Sequence, residues 1–406
     1  MSFAIALSGL NAATADLSTT ANNIANANTT GFKSSRAEFG DVYSVASRGV
    51  SSNNTIGSGV RVDKISQQFS QGTINFTNSS LDLALSGEGF FTVSDNGALQ
   101  YTRNGSFGTD SSGYLVNQSG QRLQVFPAIA GGGFNTGKLT DLQLSVADNP
   151  PAATTNMTAM YNLPADATAP SVGTFDATDP NSYNQTTSVT IYDSLGATHS
   201  ANLYFVKGAS AGAWTVHATV DGTELGTGTA LQYDNSGALT TPAGGQITLP
   251  AFTPSDGAAD INMTLDVGKT TQFGSLFGVS SITQDGFASG RLSGVEITQE
   301  GVIQARYTNG QATPLGQIAL TTFANPQGLQ QLGNTSWGET FASGAAVRGT
   351  AGSSSFGLLQ SGALEASNVD LTAQLVNMIT AQRNFQANAQ MIQTSDQITQ
   401  TIINIR

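Results

Sequence analysis

The sequence predicts a mixed, mainly β fold: two nested β-domains in the middle of the chain, with a long α-helix at each end. Three observations predict it. Apolar residues recur at three- and four-residue steps at both termini. Between them, apolar and polar residues alternate with period two and are punctuated by Asn-Gly and Asp-Ser-Ser-Gly type turns. The composition is turn-rich, with 46 Gly and 10% charged residues, against about 25% charged in an ordinary soluble domain. At 406 residues the chain can build two or three domains, each with its own core.

At the N-terminus, Phe3, Leu7, Leu10, Leu17, Ala21 and Ile24 keep helical spacing, with Ala, Ser, Thr and Asn on the other faces. This predicts a helix within residues 1–30, ending near Gly31, which suits a left-handed C-terminal cap. Residues 31–69 include SRGVSSNNTIGSGV and read as an extended linker with one short strand at Val60 to Ile65.

From 70 to 145 the period changes to two. Leu81, Leu83 and Leu85 alternate with polar residues, and Phe90 to Ser94 and Ala98 to Thr102 flank the turn Asp95-Asn96-Gly97. Further turns at Asn104-Gly105, Asp110 to Gly113 and Ser119-Gly120 complete a β-meander. Pro150-Pro151 marks a boundary, and residues 146–280 form an inserted β-domain with 11 acidic and 2 basic residues, which is -9 of the net -12. Such a balance suits a solvent-facing lobe. Strand patterning resumes over 281–342, with Asn309-Gly310 as a hairpin turn, and completes the first β-domain. A second linker, 343–364, contains the Gly- and Ser-rich run Ser343 to Gly357.

Residues 365–406 carry the longest helical pattern. Ser367 precedes Asp370 at capping-box spacing, and Leu371, Leu375, Met378, Phe385, Ala389 and Ile392 follow at steps of three, four or seven. The expected helix has roughly 38 residues and a length of about 57 Å. Its seam is thin, since Gln382 and Asp396 interrupt it and the flanks are Asn, Gln, Thr and Ala, so it does not read as a self-sufficient zipper. Two such helices invite pairing with each other and with copies from other molecules. One thin seam does not offset the entropy of ordering them, so they are expected to order on assembly.

No reaction chemistry is legible. His199 and His217 lie in strand-like segments without HxxxH or HExxH spacing and read as strand histidines rather than ligands. Gly87-Glu88-Gly89 and Gly226-Thr227-Gly228 are not completed to a phosphate-cradling motif, and no GxSxG elbow occurs. Asp95, Asp110 and Asp234 stand in turns that explain them without calcium. No cofactor, metal or catalytic residue is therefore assigned. Fifteen Lys and Arg, unclustered, argue against nucleic acid. The longest N-terminal apolar run, Phe3 to Leu7, is too short for a membrane span or a signal-peptide core, so export without a cleaved signal is expected.

Three stretches together resemble one family. ANNIANANTTGFKSSRAEF, Ala21 to Phe39, is similar to the N-terminal signature of bacterial flagellar rod and hook subunits. SNVDLTAQLVNMITAQRNFQANAQMIQTSD, Ser367 to Asp396, resembles their C-terminal signature, and Leu81 to Phe126 resembles their shared β-domain. The inserted TIYDSLGATHSANLYF is similar to the extra domain of hook subunits, which separates this chain from its nearest alternative, a distal rod subunit; a secreted β-rich adhesin or enzyme is the more distant one. The resemblance implies terminal helices that pair into an inner coiled-coil layer around an export channel. It places assembly seams at Phe3, Leu7, Leu10, Leu17, Ile24, Leu371, Leu375, Met378, Phe385 and Ile392, and a motif turn at Asn26, Gly31, Phe32 and Lys33. It also implies a homopolymer that meets the distal rod, the hook-filament junction proteins, the hook cap and the export apparatus. The two linkers and the Pro150-Pro151 joint would then serve as hinges between stiff layers.

Overall fold

The computed structural model describes residues 2–42, 57–129, 131–144, 148–353 and 355–404. Two helices stand at the ends of a mainly β chain: α1, Ser2–Ala25, and α2, Leu371–Asn404. The chain divides into two compact units. The first comprises Met1–Ser145, Gly294–Ala305 and Ala312–Arg406, and the second comprises Val146–Ser293 and Arg306–Gln311. The insertion therefore runs past the expected limit at 280: the strand Gly278–Gln284 pairs antiparallel with Asn156–Pro164, which holds the following turn in the second unit.

The helix ends differ in detail from expectation. Asp370 is itself the N-cap of α2, its Oδ1 accepting from Thr372 N at 2.8 Å and Ala373 N at 3.1 Å. Ser367 lies outside the helix, where its hydroxyl accepts from Val369 N at 3.3 Å, so no Ser367-Asp370 capping box forms. At the other end α1 stops at Ala25, and Asn26 closes its last turn through Nδ2, which donates to Asn22 O at 3.0 Å. Gly31 comes six residues later and does not cap the helix.

The described parts of both linkers are strand-paired. Strands Ser35–Asp41 and Val60–Gln67 pair antiparallel into a hairpin that packs along α1; the residues 43–56 of the expected linker lie outside the described residues. In the second linker, Val347–Gly349 pairs with Leu320–Thr322, Leu358–Ser361 with Leu83–Ser86, and Ala363–Glu365 with Ile74–Phe76. Backbone groups near a packed core must be hydrogen-bonded, and three-residue strands are enough to satisfy them. Their brevity hides them in a Gly- and Ser-rich sequence.

The first unit is built on a large, mainly antiparallel sheet. The hairpin Phe90–Asp95 and Ala98–Thr102 turns through Asn96 at φ 51° and Gly97 at φ 94°, as the Asn-Gly pair predicts. Its core gathers Leu83, Leu85, Phe91, Val93, Leu123, Val125, Ile303 and Ile318, all fully or almost fully buried. A smaller aromatic cluster of Phe90, Tyr101, Phe323 and Trp337 adjoins Phe69, which follows the hairpin beside α1.

The second unit contains two sheets, one running Gln185–Tyr192, Thr198–Lys207, Ala213–Val220, Thr229–Tyr233, and the other centred on Asn156–Pro164. Thr198–Lys207 alternates strictly over its last seven residues, burying Ala201, Leu203, Phe205 and Lys207. Both sheets contribute to one core, in which the rings of Tyr161 and Phe205 lie 4.5 Å apart.

Candidate assembly site

The two helices pack antiparallel. Asn23 Nδ2 donates to Gln374 Oε1 at 3.2 Å, and Gly9 lies against the side chain of Asn388, so fourteen residues forward on α1 match fourteen back on α2. Small and polar residues make this contact possible. The buried positions of α1 are Ala6, Ala12, Ala13, Thr19, Thr20 and Asn23, which sit against α2 and the adjoining hairpin. On α2 the covered positions include Gln374, Met378, Ala381, Asn388 and Ile392, spaced at three, four or seven, with Ala389 and Ser395 half-covered beside them.

The apolar residues expected as seams are divided by this arrangement. Met378 and Ile392 lie on the covered line, Phe385 is at its edge, and Leu10, Leu17 and Ile24 are half-buried. Phe3, Leu7, Leu371 and Leu375 face solvent, with Phe3 47% and Leu375 50% exposed. Val376, Ile379, Met391 and Ile398, absent from the sequence-based set, are exposed as well. The helix pair is therefore closed on its small-residue face and leaves apolar residues outward, on helices whose described residues include only Asp16, Arg383 and Asp396 as charges.

The base of the pair is fixed by a buried ionic cluster. Lys33 Nζ and Glu365 Oε1 are 2.6 Å apart with both side chains 0% exposed. Lys33 also donates to Ser70 O at 2.8 Å, and Gly72 N donates to Glu365 Oε1 at 2.9 Å. Arg103 Nη1 reaches Glu365 Oε2 at 3.2 Å, while its Nη2 donates to Gly87 O at 2.6 Å. Burial pulls Lys33 and Arg103 below their ordinary values, and the Glu365 carboxylate opposes this in both cases. One carboxylate thus serves two cations from two other segments.

The motif turn is wired into the same place. Gly31 adopts φ +69° and its N donates to Glu365 O at 2.8 Å; a Cβ there would come within 2.5 Å of Asn104 N. Phe32 is buried beside it. Asn23 clamps Ser35, donating to Ser35 O at 2.7 Å and accepting from Ser35 N at 2.8 Å. Asn368 Oδ1 accepts from Ser34 N at 2.7 Å and its Nδ2 donates to Gln68 O at 2.7 Å. Phe69 packs edge-on against Phe90 and Trp337, at 5.5 and 5.6 Å, and Arg103 lies 5.6 Å over the Phe90 ring. Sequence reasoning named Asn26, Gly31, Phe32 and Lys33 but missed Glu365, Arg103, Asn23 and Asn368. A lone Glu in a chain this poor in charge was the available signal.

Four families match along the chain. Residues 3–33 match the flagella basal body rod protein, 84–174 the flagellar hook protein FlgE/F/G D1 domain, 162–287 the flagellar basal body protein FlaE D2 domain, and 360–405 the flagellar basal body rod FlgEFG protein C-terminal region. The flagellar hook protein FlgE of Salmonella typhimurium strain LT2 is 39% identical over 417 residues, covering 100% of both chains. This chain belongs to the flagellar hook protein family. The hook protein FlgE of Escherichia coli strain K12 is also 39% identical, over 414 residues and 100% of both chains. The crystal structure of Helicobacter pylori flagellar hook protein FlgE2 shares the fold, with a TM-score of 0.53 at 15% identity over 72% of this chain and 100% of that one. Within the hook family frame, the matched N-terminal segment contains Lys33 and the matched C-terminal segment contains Glu365, so the buried pair joins the two.

Proposed function

We propose that the chain is a structural subunit of the bacterial flagellar hook, polymerising with copies of itself into a curved, flexible hollow tube that transmits torque from the rod to the filament. The observation that carries this is the helix pair: closed on one face by small residues, rooted by a buried ionic cluster, and bearing outward Phe3, Leu7, Leu371 and Leu375. Apolar side chains left on a surface of low charge gain about 25 cal/mol per Å² when copies cover them. A coiled-coil inner layer of α1 and α2 from many subunits is the arrangement that covers them, with α2 extending past α1. The seam residues Phe3, Leu7, Leu10, Leu17, Ile24, Leu371, Leu375, Met378, Phe385 and Ile392 are assigned to it.

The acidic second unit then forms the outer part of the tube, where like charges keep assembled hooks soluble. In this reading the partners beyond itself are the distal rod, the junction proteins toward the filament, the hook cap and the export apparatus. The assembled protein lies outside the cell. No described helix is long and apolar enough to cross a membrane. The flexing of the tube is assigned to slippage between subunits, with the two linkers and the Pro150-Pro151 joint as candidate hinges; the described parts of both linkers are strand-paired. Electron microscopy of the salted-out protein tests the reading: hook-like tubes support it, and particles that stay monomeric at every salt concentration remove it.

A further inference from the structure

We propose that Asp193, His199 and Asp256, in the second unit, form a binding site for a divalent transition-metal cation of the zinc type. Asp193 follows the strand Gln185–Tyr192, and His199 is the second residue of the next strand, Thr198–Lys207. One oxygen of Asp193 is spent on the turn between them, Oδ1 accepting from Leu195 N and Ala197 N at 2.8 Å each. The other, Oδ2, lies 3.3 Å from His199 Nε2, with the Asp193 side chain 0% exposed. The third carboxylate, that of Asp256, brings all three ligand atoms within 4.8 Å of one another.

The second ring nitrogen decides what this means. His199 Nδ1 is 2.6 Å from Asp221 Oδ2, and Asp221 is itself held by Ser200 N, which donates to its Oδ1 at 2.9 Å. A nitrogen that close to a carboxylate carries the hydrogen. In the neutral ring, Nε2 then presents a lone pair to Asp193 Oδ2, so two acceptors face each other across 3.3 Å. A metal cation between them removes the conflict, as does a proton on Nε2. A carboxylate on the far nitrogen is also the arrangement that fixes the tautomer and raises the basicity of a metal-binding imidazole.

The distances favour a small tetrahedral ion. With bonds of about 2.0–2.1 Å, two ligands of a tetrahedral centre stand about 3.3 Å apart, the separation already present between Oδ2 and Nε2. Asp256 is exposed and has to close by a further ångström or so. Ala259 N donates to Ser194 Oγ at 2.9 Å, which holds the Asp256 loop next to Asp193. Water completes the fourth position. One imidazole with two carboxylates suits zinc, cobalt or nickel, whereas calcium requires six to eight oxygens. Phe252 stands edge-on to the His199 ring at 5.5 Å and shields one side of the site. A bound ion would staple the Asp256 loop to the sheet. The sequence hid this site because its three ligands come from two separated segments with no metal-motif spacing.

The test is a titration of the full chain, first stripped with EDTA, with Zn²⁺ by calorimetry and Co²⁺ by visible absorption. The expected result is saturation at one ion per chain with the intense absorption of tetrahedral cobalt. Affinity should fall by about tenfold or more in His199→Gln and Asp256→Asn, and hold in His217→Gln, which removes the chain's other histidine. Melting curves in EDTA should show Asp256→Asn as stable as the parent. No saturable binding, or binding that His199→Gln leaves unchanged, overturns the proposal and leaves a doubly protonated imidazole bridging Asp193 and Asp221.

Discussion

Lys33 and Glu365, separated by 332 positions in the chain, meet at 2.6 Å with no solvent contact on either side chain. The pair closes the loop made by everything between the two helices. Its energetic character follows from the third member, Arg103, at 3.2 Å from the same carboxylate. Two cations share one anion, so the cluster depends on Glu365 more than on either base.

Glu365→Gln is accordingly expected to cost about 3–5 kcal/mol, because it leaves two buried cations uncompensated. Lys33→Met should cost clearly less, since the Arg103 to Glu365 pair remains neutral as a whole. Urea denaturation of both variants checks the order. Equal losses would mean that Arg103 contributes little to neutralising Glu365.

Gly31 serves backbone conformation and close approach together. Gly31→Ala should lower stability by about 1–3 kcal/mol through the left-handed φ alone, with overpacking added. Gly31→Asn tolerates that φ better but carries the same Cβ toward Asn104 N. It is therefore expected to be no better than Ala in thermal melting, and recovery of stability with Asn would show that only φ matters.

Asp285 anchors the start of the second unit's central strand. Its carboxylate accepts from Thr155 N at 2.7 Å, Asn156 N at 2.9 Å, Thr155 Oγ1 at 2.7 Å and Asn156 Nδ2 at 2.9 Å. Burial pushes its pKa up, but these hydrogen bonds outweigh that and hold it at about 2, below the usual 3.8. A depressed carboxylate stabilises the fold above its unfolded value and loses that contribution as pH falls from about 4 toward 2. For a group this exposed, solvent screening limits the contribution to about 1 kcal/mol. Asp285→Asn should lower stability at neutral pH and flatten the acid side of the stability profile of the second unit over that window. An unchanged acid profile would contradict the assignment.

The helices were legible from the spacing of Leu371, Leu375 and Met378 and of Phe3, Leu7 and Leu10, because a 3.6-residue period survives any tertiary context. Which face is buried was not. Close antiparallel packing selects Ala6, Ala13 and Ala381 for size, and it leaves larger apolar residues outside. Hydrophobicity alone points the wrong way there. The Asn96-Gly97 hairpin was readable because its turn demands positive φ, which few residues accept. The strand Leu358–Ser361 was not, since four residues carry no period and its partner, Leu83–Ser86, lies far back in the chain. The junction of Lys33, Arg103 and Glu365 shows the same limit: a contact across hundreds of residues leaves no local pattern.

Leu375 gives the most direct measurement of whether the outward face of the helix pair is the polymerisation surface. It is half exposed and is not among the residues on the line that covers α1. Leu375→Asp should therefore change the monomer's unfolding free energy by no more than about 0.5 kcal/mol, while placing a charge where copies must exclude water. Negative-stain microscopy and sedimentation of parent and variant, at matched concentration and salt, read the outcome. The expected result is tubes for the parent and monomers for Leu375→Asp, with superimposable melting curves; tubes formed equally by both would contradict the account.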